Sequence, residues 1–122
     1  MSIAQLSDGL QANVQATSAD SVVVARGNLY LSHEVYENYM AGIEAVALIE
    51  REGQVMVVPL TPQSGGGLLL KIRTLRGDRV IHAQEFFREK GFLENFQERR
   101  FSAHWNANAA ALVVSGIPML PT

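Results

Sequence analysis

The sequence predicts a small, β-rich α+β domain, in which two tandem β-α-β-β repeats close on each other into one barrel-like core. Three observations lead there. Short β-branched or alternating apolar runs outnumber helical ones. The order strand, glycine turn, short strand, short helix, hairpin occurs twice along the chain. The 122 residues are 48% apolar and 18% charged, enough to bury one core and too apolar for disorder.

Residues 1–20 are polar and weakly periodic and are expected to form a flexible arm. Val22-Val23-Val24 marks the first strand, at 21–25. Gly27-Asn28 signals a turn, and Leu29-Tyr30-Leu31 resumes the extended chain. Ser32 reads as the N-cap of a helix over 33–40 whose apolar face is Val35, Tyr36, Tyr39 and Met40, with Gly42 placed to end it. Residues 45–60 read as a hairpin about the turn Arg51-Glu52-Gly53-Gln54. The Pro- and Gly-rich stretch 61–67 is linker-like. The order then restarts. A strand is expected at 68–74, a turn at Gly77-Asp78 and an extended run at 79–81. A helix over 84–90 follows, with Phe86 and Phe87 as its buried pair, and 93–98 is an irregular insertion. In 100–105, Phe101, Ala103 and Trp105 share one face, while Arg100, Ser102 and His104 share the other. A turn at 106–108 and a last strand at 111–117 complete the second unit.

The expected organisation is an arm at 1–20 and a single domain at 21–117, followed by a tail at 118–122 whose prolines cannot extend a ladder. Repeat one spans 21–60, the linker 61–67 and repeat two 68–117. The best internal match has a spacing of 50. It sets Arg26-Gly27-Asn28 against Arg76-Gly77-Asp78, Tyr30 against Val80 and Tyr36 against Phe86. Later the spacing grows to about 57, where Val55–Val58 meets Ala111–Val114.

This pattern resembles the swapped-hairpin half of AbrB-like transcription regulators and the related MraZ-like tandem repeats. The matching stretches are Gly27 to Val35 with the hairpin 45–60, and Gly77 to Glu85 with the strands of 100–117. The resemblance implies a small barrel, and cations near the glycine turn that contact the DNA backbone. Where those families usually have Arg after the glycine and Pro opening the helix, this chain has Asn28 and Asp78, then Ser32 and His82.

Charge narrows the functional classes. The net charge of −2 argues against a nucleic-acid binder that uses its whole surface. The halves differ, however: residues 1–60 carry two basic and seven acidic groups, and residues 61–122 eight and five. The two halves are expected to attract each other. The densest basic cluster is Lys71, Arg73, Arg76 and Arg79, which are the candidate contacts to nucleic acid or another anion. On one continuous strand, Lys71 and Arg73 would share a face while Leu70 and Ile72 turn to the core. Guanidinium groups suit phosphate because each makes paired, charge-assisted hydrogen bonds.

Catalytic chemistry lacks a signature. The chain has no cysteine, hence no thiolate site or disulfide. Its serines lie in no nucleophile elbow, and Gly65-Gly66-Gly67 has no Lys-Ser/Thr behind it. His33 and Glu37 have the spacing of a helical metal pair, but no second pair completes it. His82 is expected to start or cap the second helix. No catalytic residue, metal site or cofactor is assigned. No apolar run reaches the roughly 18–20 residues of a membrane helix, and no signal peptide is visible, so a cytoplasmic protein without a membrane partner is expected. The leading expectation is a non-catalytic regulatory or interaction module that contacts nucleic acid and works as a homodimer. The second is a protein-interaction or assembly accessory factor that does not touch DNA. The third is a small enzyme of unknown reaction.

Overall fold

The computed structural model describes residues 20–93 and 96–121. The expected arm, apart from Asp20, lies outside the described residues. Nine strands and two short helices follow one another as β1 (Ser21–Ala25), β2 (Asn28–Leu31), α1 (His33–Tyr39), β3 (Ala45–Arg51), β4 (Gln54–Leu60), β5 (Leu68–Leu69), β6 (Lys71–Ile72), β7 (Arg79–His82), α2 (Gln84–Lys90), β8 (Arg99–Asn106) and β9 (Ala111–Val114). They form one antiparallel sheet in the order β5-β3-β4-β9-β8-β1-β2-β7-β6.

The order has a twofold logic. Each repeat's first strand lies against the other repeat's hairpin: β1 pairs with β8, and β5 pairs with β3. The short second strands pair with each other, with Tyr30 opposite Val80. The hairpins meet where Met56 faces Val113. These two crossings join residues at the spacings of 50 and 57 that the sequence match carries. The sheet is nearly closed because its two edge strands, β5 and β6, are consecutive pieces of one segment. At Leu70 the chain steps from one edge of the sheet to the other, with its N–H bonded to the Glu44 carbonyl at 2.9 Å.

That step corrects one expectation. Residues 68–74 are not one strand but two two-residue ladders broken at Leu70. Leu70 is buried, as expected, but Ile72 is 71% exposed instead of facing the core. The reason is tertiary: each ladder serves a different edge, so alternation does not carry through the break. The last strand also ends earlier, at Val114. Beyond it, Ile117 is buried, and Met119 makes a single bridge to Phe92.

Both glycine turns show why the repeats need each other. Gly27 (φ +80°) and Gly77 (φ +105°) adopt backbone conformations that favour glycine. A Cβ on Gly27 would sit 2.7 Å from Cγ of Gln84, the first residue of α2. A Cβ on Gly77 would sit 2.6 Å from Nδ1 of His33, the first residue of α1. Each turn therefore seats the start of the other repeat's helix. Gly77→Ala is expected to destabilise the fold by more than about 1 kcal/mol, read by urea denaturation. A neutral result would contradict this seating.

The helix starts differ in chemistry. Ser32 caps α1, its Oγ accepting from the Val35 N–H at 3.2 Å. The cap of α2 is Ala83, which has no side-chain bond, and not His82, which ends β7 and is exposed. The α2 end is instead fixed by Ala83 N–H donating to the Gly27 carbonyl at 3.2 Å. Of the expected aromatic pair on α2, only Phe87 is fully buried, while Phe86 packs partly exposed against the core. Phe87, Phe92, Leu29, Leu31, Met40, Ile81 and Leu112 are among the large side chains that fill the interior. At the sheet's other side Tyr39 stacks on Trp105 with ring centroids 5.6 Å apart. Its phenol donates to the Asp20 carboxylate, which pushes the Tyr39 pKa up to about 12.

Candidate anion-binding cleft

Strand alternation decides which side chains reach the outer face of β8-β1-β2. Val22, Val24, Leu29, Leu31 and Phe101 turn inward and are buried. Val23 stands between Tyr30 on β2 and Arg100 on β8, its partners on either side. These three residues line a cleft of about 400 Å³, overhung by the loop between β6 and β7. Arg73 and Arg76 descend from that loop, and Arg26 joins them from the β1–β2 turn.

The overhanging loop is fixed by its own polar groups. Asp78 Oδ1 accepts the His33 backbone N–H at 2.7 Å, and its Oδ2 accepts the Thr74 hydroxyl at 2.9 Å. Arg73 N–H donates to the Asp78 carbonyl at 2.8 Å, and Gly77 N–H to the Thr74 carbonyl at 3.1 Å. The His33 N–H, then the Thr74 hydroxyl, then the nearby Arg76 and Arg73 cations hold the Asp78 carboxyl below its ordinary range.

A lowered folded-state pKa means the fold favours the ionised carboxylate. Its contribution is present above about pH 4 and is lost as acid titrates Asp78 through the lowered value. Asp78→Asn should therefore flatten the fall in melting temperature below about pH 4. An unchanged acid limb would show that the carboxylate does not hold the loop.

Three of the four arginines of the cleft are placed by neighbours. The Arg73 guanidinium lies over the Tyr30 ring, 4.7 Å from its centroid. Arg76 pairs with Glu34 at 2.8 Å and lies 3.7 Å from Asp78. The Arg76–Glu34 pair crosses between the basic and acidic halves of the chain. Arg100 Nη1 donates to the Ser21 hydroxyl at 2.9 Å. Arg26 is exposed and takes φ +50°, where Asn, Asp and Gly are the usual residues. Against these four guanidiniums the lining carries, among the described residues, two carboxylates, Asp78 and Glu98.

The structure thus divides the four cations that the sequence singles out. Arg73 and Arg76 share the cleft. Lys71 and Arg79 line a second groove, beside Tyr36, and the Arg79 guanidinium lies 3.8 Å over the Tyr36 ring. Sequence reasoning missed Arg26 and Arg100 as members of the site. Arg26 had a signal, since it matches Arg76 in the internal repeat. Arg100 had none, because its place depends on the long-range pairing of β8 with β1.

Among the described residues no cluster of three or more His, Cys, Asp or Glu side chains could hold a metal. His33 gives its backbone N–H to Asp78 and is tied to the loop in that way. No helix among the described residues is long and apolar enough to cross a membrane. Neither a protein-family model, nor a curated protein, nor a solved structure matches this chain.

Proposed function

We propose that this chain is a non-catalytic regulatory or interaction module of the cytoplasm whose arginine-lined cleft holds phosphate groups of a nucleic acid. The observation that carries this reading is the gathering of Arg26, Arg73, Arg76 and Arg100 about one outer sheet face. Guanidinium groups placed in advance lose less freedom when they bind phosphate, and each offers a planar fork of donors. Contacts of this kind position a strand without reading its sequence.

The test is the affinity of the full chain for a fluorescent oligonucleotide across a salt series. The logarithm of the binding constant should fall linearly with the logarithm of salt, by about 0.7–0.9 per phosphate contact. Absence of binding at low salt would remove the reading.

A docking role without nucleic acid is the second reading. It is favoured by aliphatic side chains left in solvent on β5 and on the loop between β6 and β7, where Leu69 and Leu75 are 58% and 108% exposed. Under this reading a defined protein should be retained from lysate, and oligonucleotide should not.

A further inference from the structure

The duplicated fold repeats the ladder that carries Val23 and Arg100, and the second copy carries different side chains. Val23 on β1 faces Arg100 on β8. Counted from the Met56–Val113 crossing through the register of each hairpin, Ala45 falls at the position that Arg100 holds. Its partner across the ladder is Leu69 on β5. The valine–arginine pair that lines the first cleft therefore has a leucine–alanine pair as its counterpart, and of these Leu69 lines a second groove.

The second groove, of about 510 Å³, has an aliphatic wall of Ile43, Leu69 and Ile72, with Lys71 and Arg79 beside it. Among the described residues Glu44 is the one carboxylate in its lining. Among the described residues neither Lys71 nor Arg79 enters an ion pair. Arg79 is nonetheless fixed, stacked on Tyr36 and donating to the Gly77 carbonyl.

We infer that this second groove docks an extended segment of a protein partner in which carboxylates alternate with aliphatic side chains. The match is one of charge and period. An extended chain turns alternate side chains to opposite sides. Aliphatic groups can then enter against Leu69 and Ile72, while the intervening carboxylates reach the flanking cations. A few aliphatic side chains in a concavity suit a peptide better than a membrane surface, which needs a broad apolar face to hold a protein. The site is separate from the arginine cleft, so it stands or falls independently of nucleic-acid binding.

The experiment pans the full chain against a random peptide library displayed on phage and measures selected peptides by fluorescence anisotropy. Enrichment of alternating acidic and aliphatic residues is expected. Affinity should drop about tenfold or more in Ile72→Asp and in Lys71→Glu. Both are exposed positions whose replacement leaves the core intact. The double variant Arg73→Ala with Arg76→Ala should bind the peptide as the wild type does. Five outcomes would overturn the inference. Selection could return no peptide, or only peptides without acidic residues, or the affinity could be unchanged in Ile72→Asp. Capture of the chain by phosphatidylserine vesicles that Ile72→Asp abolishes would point to a membrane. Self-association lost in the same variant would show that a second copy covers the groove.

Discussion

Phe87→Ala is expected to cost about 3–5 kcal/mol of folding stability, a large share of the roughly 5–15 kcal/mol available to a domain of this kind. Phe87 is fully buried, with ring centroids 5.4 Å from Phe92 and 6.1 Å from Phe86. The backbone around it is equally committed. Its N–H donates to the Ala83 carbonyl at 2.9 Å, and its carbonyl accepts from Phe92 N–H at 2.9 Å and also from the N–H of Gly91, the C-cap of α2. Removing the ring leaves a cavity whose walls are held by the sheet and the helix end, so collapse can recover little. Urea denaturation should show a lower midpoint with an unchanged slope. The paired control is Phe86→Ala, which should cost less because Phe86 is only partly buried. If the Phe86 variant proves the less stable of the two, the core has been placed wrongly.

Replacing Arg73 and Arg76 together by alanine is the second large effect. Loss of two phosphate contacts should lower the salt slope by about 1.4–1.8 and weaken oligonucleotide binding on the order of 100-fold at low salt. Stability should hardly change. Both side chains are exposed, and the Arg76–Glu34 pair is a surface ion pair of the kind worth about 0–1 kcal/mol. A double variant that folds normally and keeps the wild-type slope would remove these two residues from the interface. Lys71→Ala should have a smaller effect on the same slope, because Lys71 lies in the other groove.

Local patterns carried much of the fold. The alternation of Phe101 and Ala103 with Arg100, Ser102 and His104 is the inside–outside pattern of β8. Ser32 caps its helix, and Gly91 ends the second one in the left-handed conformation. The internal repeat was legible because the two glycine turns and the pairing of Tyr30 with Val80 keep one spacing. What stayed hidden depends on contacts between residues far apart in the chain. Nothing local shows that the chain must cross from one sheet edge to the other at Leu70, so Ile72 was assigned to a core it does not reach. The start of α2 has no capping side chain to announce it, because the Gly27 carbonyl does that work from the other repeat. The cleft was half legible. A run of cations at 71–79 is visible in one dimension, but Lys71 and Arg79 stand on β6 and β7 at the second groove, whereas Arg73 and Arg76 stand on the loop between those strands and line the cleft. The pairing of β1 with β8 then brings in Arg100.

The most direct measurement is a nitrogen–proton correlation spectrum of the full chain titrated with a short oligonucleotide. Backbone signals of Arg26, Tyr30, Arg73, Arg76 and Arg100, and the side-chain Nε–H signals of the four arginines, should move together and saturate at one affinity. Shifts confined to Ile43, Leu69 and Ile72, or a spectrum unmoved at low salt, would contradict the assignment of the arginine cleft as the site that binds phosphate.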